Sequence, residues 1–109
     1  MKDNLVFIKH ILDEVNYILI ETRELSFDKL IINETLKKAL TRSLEIIGEA
    51  SKNISSDFKE KHPDVEWKEM AGLRDKLIHF YFGVDWNIVW DIIKNKIPDL
   101  KNKLEKLVK

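Results

Sequence analysis

Apolar residues recur every three to four positions along most of this chain, and that spacing suits helices and little else. Over residues 4–25, NLVFIKHILDEVNYILIETREL, one row runs Leu5, Ile8, Leu12, Val15, Leu19, with Asp3 or Asn4 placed to cap it. Phe7, Ile11 and Ile18 widen the row, which predicts burial on more than one side. SFDKLI (26–31) predicts a turn or short helix, and a long helix follows from about Asn33. Its row is Leu36, Leu40, Ser43, Ile47, Ala50 and Ile54, in which the small Ser43 and Ala50 permit close approach of another helix. Arg42, Glu45 and Glu49 lie opposite, spaced for ion pairs along the helix. Ile46, off the row and beside those charges, suggests a contact between molecules.

Ser55-Ser56-Asp57 predicts a cap for a short helix ending before Pro63. The next helix is expected from about Asp64 to Phe82, with Gly83 as its stop. Asp85 then caps a helix carrying Trp86, Ile88, Val89, Trp90, Ile92 and Ile93. Pro98 suits either the first turn of a last helix or a kink between two segments. No stretch alternates with period two, and only three Gly and two Pro punctuate the 109 residues. The expectation is a single all-α domain over residues 1–109, an antiparallel bundle of four or five helices.

Composition narrows the functional classes. No run approaches the roughly 20 apolar residues of a membrane span. The opening MKDNLVFIKH mixes charges into its apolar run, unlike a secretory leader. No membrane association and a cytoplasmic location are therefore expected. The chain has no cysteine, hence no disulfide framework and no thiolate metal site. It also lacks Cys/His zinc spacing, a Gly-rich phosphate loop and a G-x-S-x-G elbow. No metal or cofactor is expected, nor a self-contained nucleotidyltransferase. Lys+Arg and Asp+Glu balance at 19 each, so any grip on nucleic acid should be local and transient rather than a broad basic surface. Lys94 to Lys109 holds six Lys against Asp99 and Glu105, which reads first as a solvated helical tail.

One residue breaks the pattern. At about 100° per residue, Trp67, Met70, Arg74, Leu77, Ile78 and Tyr81 share a helix face, with Lys68, Gly72, Asp75, Lys76 and His79 opposite. An unpaired guanidinium among apolar neighbours costs several kcal/mol (~3–5), so Arg74 needs an anionic partner. One reading is a structural ion pair with Glu49 or Glu45, Tyr81 covering it. The other is a phosphate site, open in the free protein or at a subunit boundary. His79 lies five residues on, about 140° around the axis, so one straight helix does not join the two. Either the helix breaks near Ile78, or a second copy of the chain completes the pair. Elsewhere, His10 beside Asp13 and Glu14 reads as a solvated face, His62 as a loop residue, and Trp86 with Trp90 as core or dimer packing.

RDKLIHFY (74–81) fits Arg-x4-His-x-Tyr with a polar residue after the arginine, and so resembles the signature of the HEPN superfamily. The closer likeness is to the HepT-like toxins of MNT–HEPN (type VII-like) toxin–antitoxin pairs. RSLEIIGEA (42–50), the Pro63 to Trp67 approach and VDWNIVWDIIKNKIPDLKNKLEKL (84–107) extend it over nearly the whole chain. The resemblance implies a dimerising all-α bundle whose Arg-His motifs meet at the interface. It also implies a metal-independent endoribonuclease acting on RNA, and as partner an MNT-type nucleotidyltransferase antitoxin that transfers AMP to Tyr81. Arg74 and His79 become the catalytic candidates, with Asp75 and Glu49 supporting. Asp75 could equally be a solvated helix residue, Glu49 a structural salt bridge, and Tyr81 a core aromatic with its hydroxyl paired. The competing function is a non-catalytic binding subunit of a nucleotidyltransferase complex.

Overall fold

A computed structural model describes residues 3–73, 75–76 and 85–108, and every regular element among them is helical. Helix α1, Asn4–Thr22, starts where the Asp3 carboxylate accepts the Leu5 N–H at 3.0 Å. Ile8, Ile11, Leu12, Val15 and Ile18 bury its inner arc, so both the row and its widening hold. Leu5 is an exception at 41% exposed, because it sits in the first turn at the edge of that arc. Ser26 caps the short α2, Phe27–Ile31, which drives Leu30 fully into the core.

Helix α3, Glu34–Lys52, begins as expected at Asn33, whose side chain accepts the Leu36 N–H at 3.0 Å. Leu40, Ser43, Leu44, Ile47 and Ala50 face α1 and the core, and small Ser43, Gly48 and Ser51 let the helices close up. Ile46 is only half-buried. The start of α1 is tied to the end of α3 by two hydrogen bonds. Asn4 Nδ2 donates to Ser55 Oγ at 3.1 Å, and the Ser55 N–H donates to Asn4 Oδ1 at 2.9 Å. The two long helices therefore run antiparallel.

Ser55 also caps α4, Ser56–Lys61, ahead of Pro63. Helix α5, Trp67–Ala71, starts three residues later than the sequence suggests. The reason is local: the carbonyl of His62 accepts both the Val65 N–H at 3.3 Å and the Trp67 indole N–H at 2.9 Å. That turn holds Asp64–Glu66 outside the helix. Helical bonds then pass through Gly72, from its N–H to Lys68 O and from the Lys76 N–H to Gly72 O, both 3.0 Å. The expected end at Phe82 and stop at Gly83 lie outside the described residues.

Asp85 caps α6, Trp86–Asp91, as expected. A π-helical turn, Ile92–Lys96, leads into α7, Ile97–Leu107. Of the two expectations for Pro98, the first-turn placement is met. It stands in the first turn of α7, and because it has no N–H and its ring crowds the carbonyl four residues back, the helix before it widens. The Ile97 N–H bonds Ile92 O, five residues back, in place of the usual four. Val89, Ile93, Ile97, Leu100 and Leu104 nonetheless stay in one buried row. Lys94 Nζ donates to Thr22 O, the last turn of α1, at 3.2 Å, so α7 packs back along α1 in the opposite direction. Among the described residues no buried side-chain nitrogen or oxygen lacks a partner, and no helix is long and apolar enough to cross a membrane.

Candidate active site

Arg74, His79 and Tyr81 lie outside the described residues; Asp75 and Glu49, the two supporting candidates, lie within them. The helix that leads to the motif has a clear inner face. Trp67, Met70 and Leu73 are buried, whereas Lys68, Asp75 and Lys76 are exposed. This is the division expected for Trp67 and Met70 on one side and Lys68, Asp75 and Lys76 on the other. Asp75 thus stands in solvent next to the motif arginine in sequence. Glu49 is exposed on α3, and its carbonyl accepts the Asn53 side-chain amide at 2.9 Å. Glu45, the other carboxylate weighed for Arg74, approaches Arg42 at 3.9 Å.

Leu73 and Lys76, which bracket Arg74 in sequence, line a half-open groove of about 160 Å³ between the α5 side and the α6–α7 rod. Its floor is apolar, from Met70, Leu73, Ile92 and Leu100. Its rim alternates in sign. Lys96 Nζ, carried on the π turn, reaches across to Glu66 at 3.9 Å, and Lys103 pairs with Asp99 at 2.9 Å. A hydrogen bond with Glu69 and that neighbour's charge raise the Glu66 carboxyl above its ordinary value, with Lys96 opposing. The same hydrogen bond lowers Glu69. Among the described residues no group of three or more His, Asp or Glu side chains could hold a metal ion.

The model of the Ribonuclease HepT-like family matches residues 3–107. The chain belongs to that family. A protein of Thermococcus cleftensis described as "Probable ribonuclease HepT" is 48% identical over 103 residues, covering 94% of each chain. An RNase assigned by inference in Caldanaerobacter subterraneus is 44% identical over 108 residues, 99% of this chain and 96% of that one. Another in Methanocaldococcus jannaschii is 45% identical, over 99% of this chain and 89% of its own. No solved structure matches at a significant level.

Several features of this HepT-like chain escape sequence reasoning. The groove needs Met70 and Leu100, 30 positions apart, on facing helices. Two cation–aromatic contacts were equally hidden: Lys37 Nζ stands 5.7 Å from the Trp86 ring centroid, and Lys94 Nζ 4.6 Å from that of Trp90. Only the Lys94–Trp90 spacing of four residues could have signalled one of them.

Proposed function

We propose that this HepT-like chain is a metal-independent endoribonuclease, working as a homodimer from a single domain over residues 1–109 in the cytoplasm. The observation that carries this reading is the family match from end to end, around an intact Arg74-x4-His79-x-Tyr81 motif. The names of its relatives as ribonucleases support it.

The chemistry follows from the residue types. The RNA 2′-hydroxyl attacks the adjacent phosphorus, the 2′-O–P bond forms, and the P–O5′ bond breaks. A cyclic phosphate and a free 5′-hydroxyl result. An imidazole with a reference pKa of about 6.5 can take the first proton or supply the second near neutral pH. That role falls to His79. Charge grows on the non-bridging oxygens, where the planar Arg74 guanidinium can engage two at once. Asp75 and Glu49 would orient these groups. Because five residues turn about 140° on a helix, Arg74 and His79 are best combined across two copies of the chain.

Tyr81 is the control point. Its modification with AMP by an MNT-type nucleotidyltransferase antitoxin would put a bulky anion beside Arg74, in competition with the RNA phosphate. The chain is then the toxin of the pair. The test is cleavage of RNA by the purified, unmodified chain in EDTA. Arg74→Ala and His79→Ala should each lower the rate by about 10²–10⁴-fold with unchanged circular dichroism. Intact mass after co-expression with the nucleotidyltransferase should rise by AMP increments that map to Tyr81.

The balanced formal charge favours a second reading, a non-catalytic subunit that docks the nucleotidyltransferase. An unmodified chain that cleaves no RNA, and whose effect on growth is indifferent to His79→Ala, would decide for it.

A further inference from the structure

The groove beside the motif has an apolar floor and an open mouth. Met70 on that floor is 4% exposed, Leu73 and Leu100 8% each, and one wall is Ile88, a large aliphatic residue left 39% exposed on α6. Seven lining side chains are charged, four acids and three lysines, so the rim offers both hydrogen-bond acceptors and donors. Two of the lysines are engaged: Lys96 approaches Glu66 at 3.9 Å, and Lys103 pairs with Asp99 at 2.9 Å. Lys76 is not. It is exposed, and no carboxylate among the described residues stands within ion-pair distance of it. Volume then limits the occupant. An apolar cavity of about 150 Å³ holds one benzene ring, whereas a drug-sized ligand takes about 300 Å³ or more. At about 160 Å³ this groove has the size of a single six-membered ring.

We infer that this groove holds one pyrimidine base of single-stranded RNA, beside the phosphate at the motif. A pyrimidine is one six-membered ring with apolar faces and an edge that mixes donors and acceptors. Its faces suit the floor, where the Met70 sulfur makes favourable contacts with an aromatic ring. Its edge suits the mixed rim. Charge sorts the rest of the nucleotide: four acids against three lysines disfavour a phosphate inside the groove, and the unpaired Lys76, two residues beyond Arg74, is left for the backbone. Leu73 and Arg74 are consecutive, so their Cα atoms are about 3.8 Å apart whatever path the chain takes. A phosphate on the Arg74 guanidinium therefore has its own base, or the next one, within reach of the groove. Bases in a duplex are stacked and paired and cannot enter, and the fused rings of a purine exceed the space. A seam between protein copies fits less well, since the centres of interfaces are depleted in charged residues. The choice of RNA rests on the ribonuclease reading; the size and chemistry of the groove do not.

The experiment titrates the full chain carrying His79→Ala, a background chosen to stop turnover, and reads affinity together with methyl NMR signals. The probes are hexauridylate, hexaadenylate and a hexamer of abasic ribose phosphates. Hexauridylate should shift the methyl signals of Met70, Leu73 and Leu100, and should bind about 10-fold or more tighter than either of the others. Adding Ile88→Ala, at an exposed position that leaves the core whole, should weaken hexauridylate binding about 3- to 10-fold. Adding Lys76→Ala should flatten the slope of log K against log salt by about 0.7. Floor methyls that stay still, equal affinity for the abasic hexamer, or unchanged affinity in Ile88→Ala each overturn the pocket. So does a preference for hexaadenylate. A shift of Ile88→Ala from dimer to monomer at unchanged RNA affinity makes the groove a seam between copies instead. The two readings fail separately. A native chain that cuts RNA while the floor methyls stay still loses the pocket alone, and one that binds in this way yet cuts nothing keeps the pocket and removes the ribonuclease reading.

Discussion

Gly72 shows how little of this helix depends on glycine itself. Its φ of −78° and ψ of −8° are open to any L-residue, and a Cβ there would meet Lys68 O at 3.4 Å, an ordinary contact. What the glycine brings is backbone freedom in the unfolded chain. Gly72→Ala should therefore raise stability by about 0.5–1 kcal/mol, seen as a higher urea midpoint at unchanged slope. A loss of stability would mean that the helix does not pass through this position as its hydrogen bonds indicate. At the same scale lies the limit of what the sequence could say about Arg74. Its place among Trp67, Met70 and Leu77 demanded an anion, but periodicity cannot choose between a carboxylate of the same chain, an RNA phosphate and a second subunit. Those alternatives differ in tertiary contacts, which a helical repeat does not encode.

At the scale of elements, helix starts were the most legible feature, because each is set by one side chain within three residues. Asp3, Ser26, Asn33, Ser55 and Asp85 all cap the helices that follow them. The start of α5 was misplaced because its turn is closed by the indole of Trp67, a contact that spacing alone does not reveal. The π turn before Pro98 was half legible. Proline announced a disturbance, but not that it would take the form of a bond from the Ile97 N–H to Ile92 O.

The first turn of α3 also gives a pH-dependent prediction. Glu34 has its carboxyl lowered below the ordinary value, first by its hydrogen bond with Lys37 and then by that lysine's charge. A carboxylate lowered in the folded state stabilises above its unfolded value, and that contribution disappears as pH falls through the folded one. Relative to Glu34→Gln, the native chain should therefore be more stable at pH 7, and the gap should shrink between pH 5 and 3. Urea melts of both proteins across that range check it. A gap that stayed constant would place the effect in helix propensity rather than in the pair with Lys37.

For the whole molecule, the question is whether one chain or two make the site. On an unbroken helix, positions 74 and 79 would be turned apart by more than a third of a turn, and a two-fold axis offers a simple resolution, since the same patch of both copies is present at a symmetric interface. If each site takes its arginine from one copy and its histidine from the other, Arg74→Ala and His79→Ala chains fail separately but can complement. In a mixed dimer one site receives both defects and the other receives none. Random exchange makes half the dimers mixed, each with one working site of two, so activity should return to about a quarter of the native level. The two variants would be unfolded together, refolded as an equal mixture and assayed against each refolded alone. A mixture no more active than its components, although light scattering finds it dimeric near twice 12.9 kDa, would place arginine and histidine of each site within one chain. The helix would then have to break between them, and the interface would serve to hold or exclude RNA rather than to assemble the reacting groups.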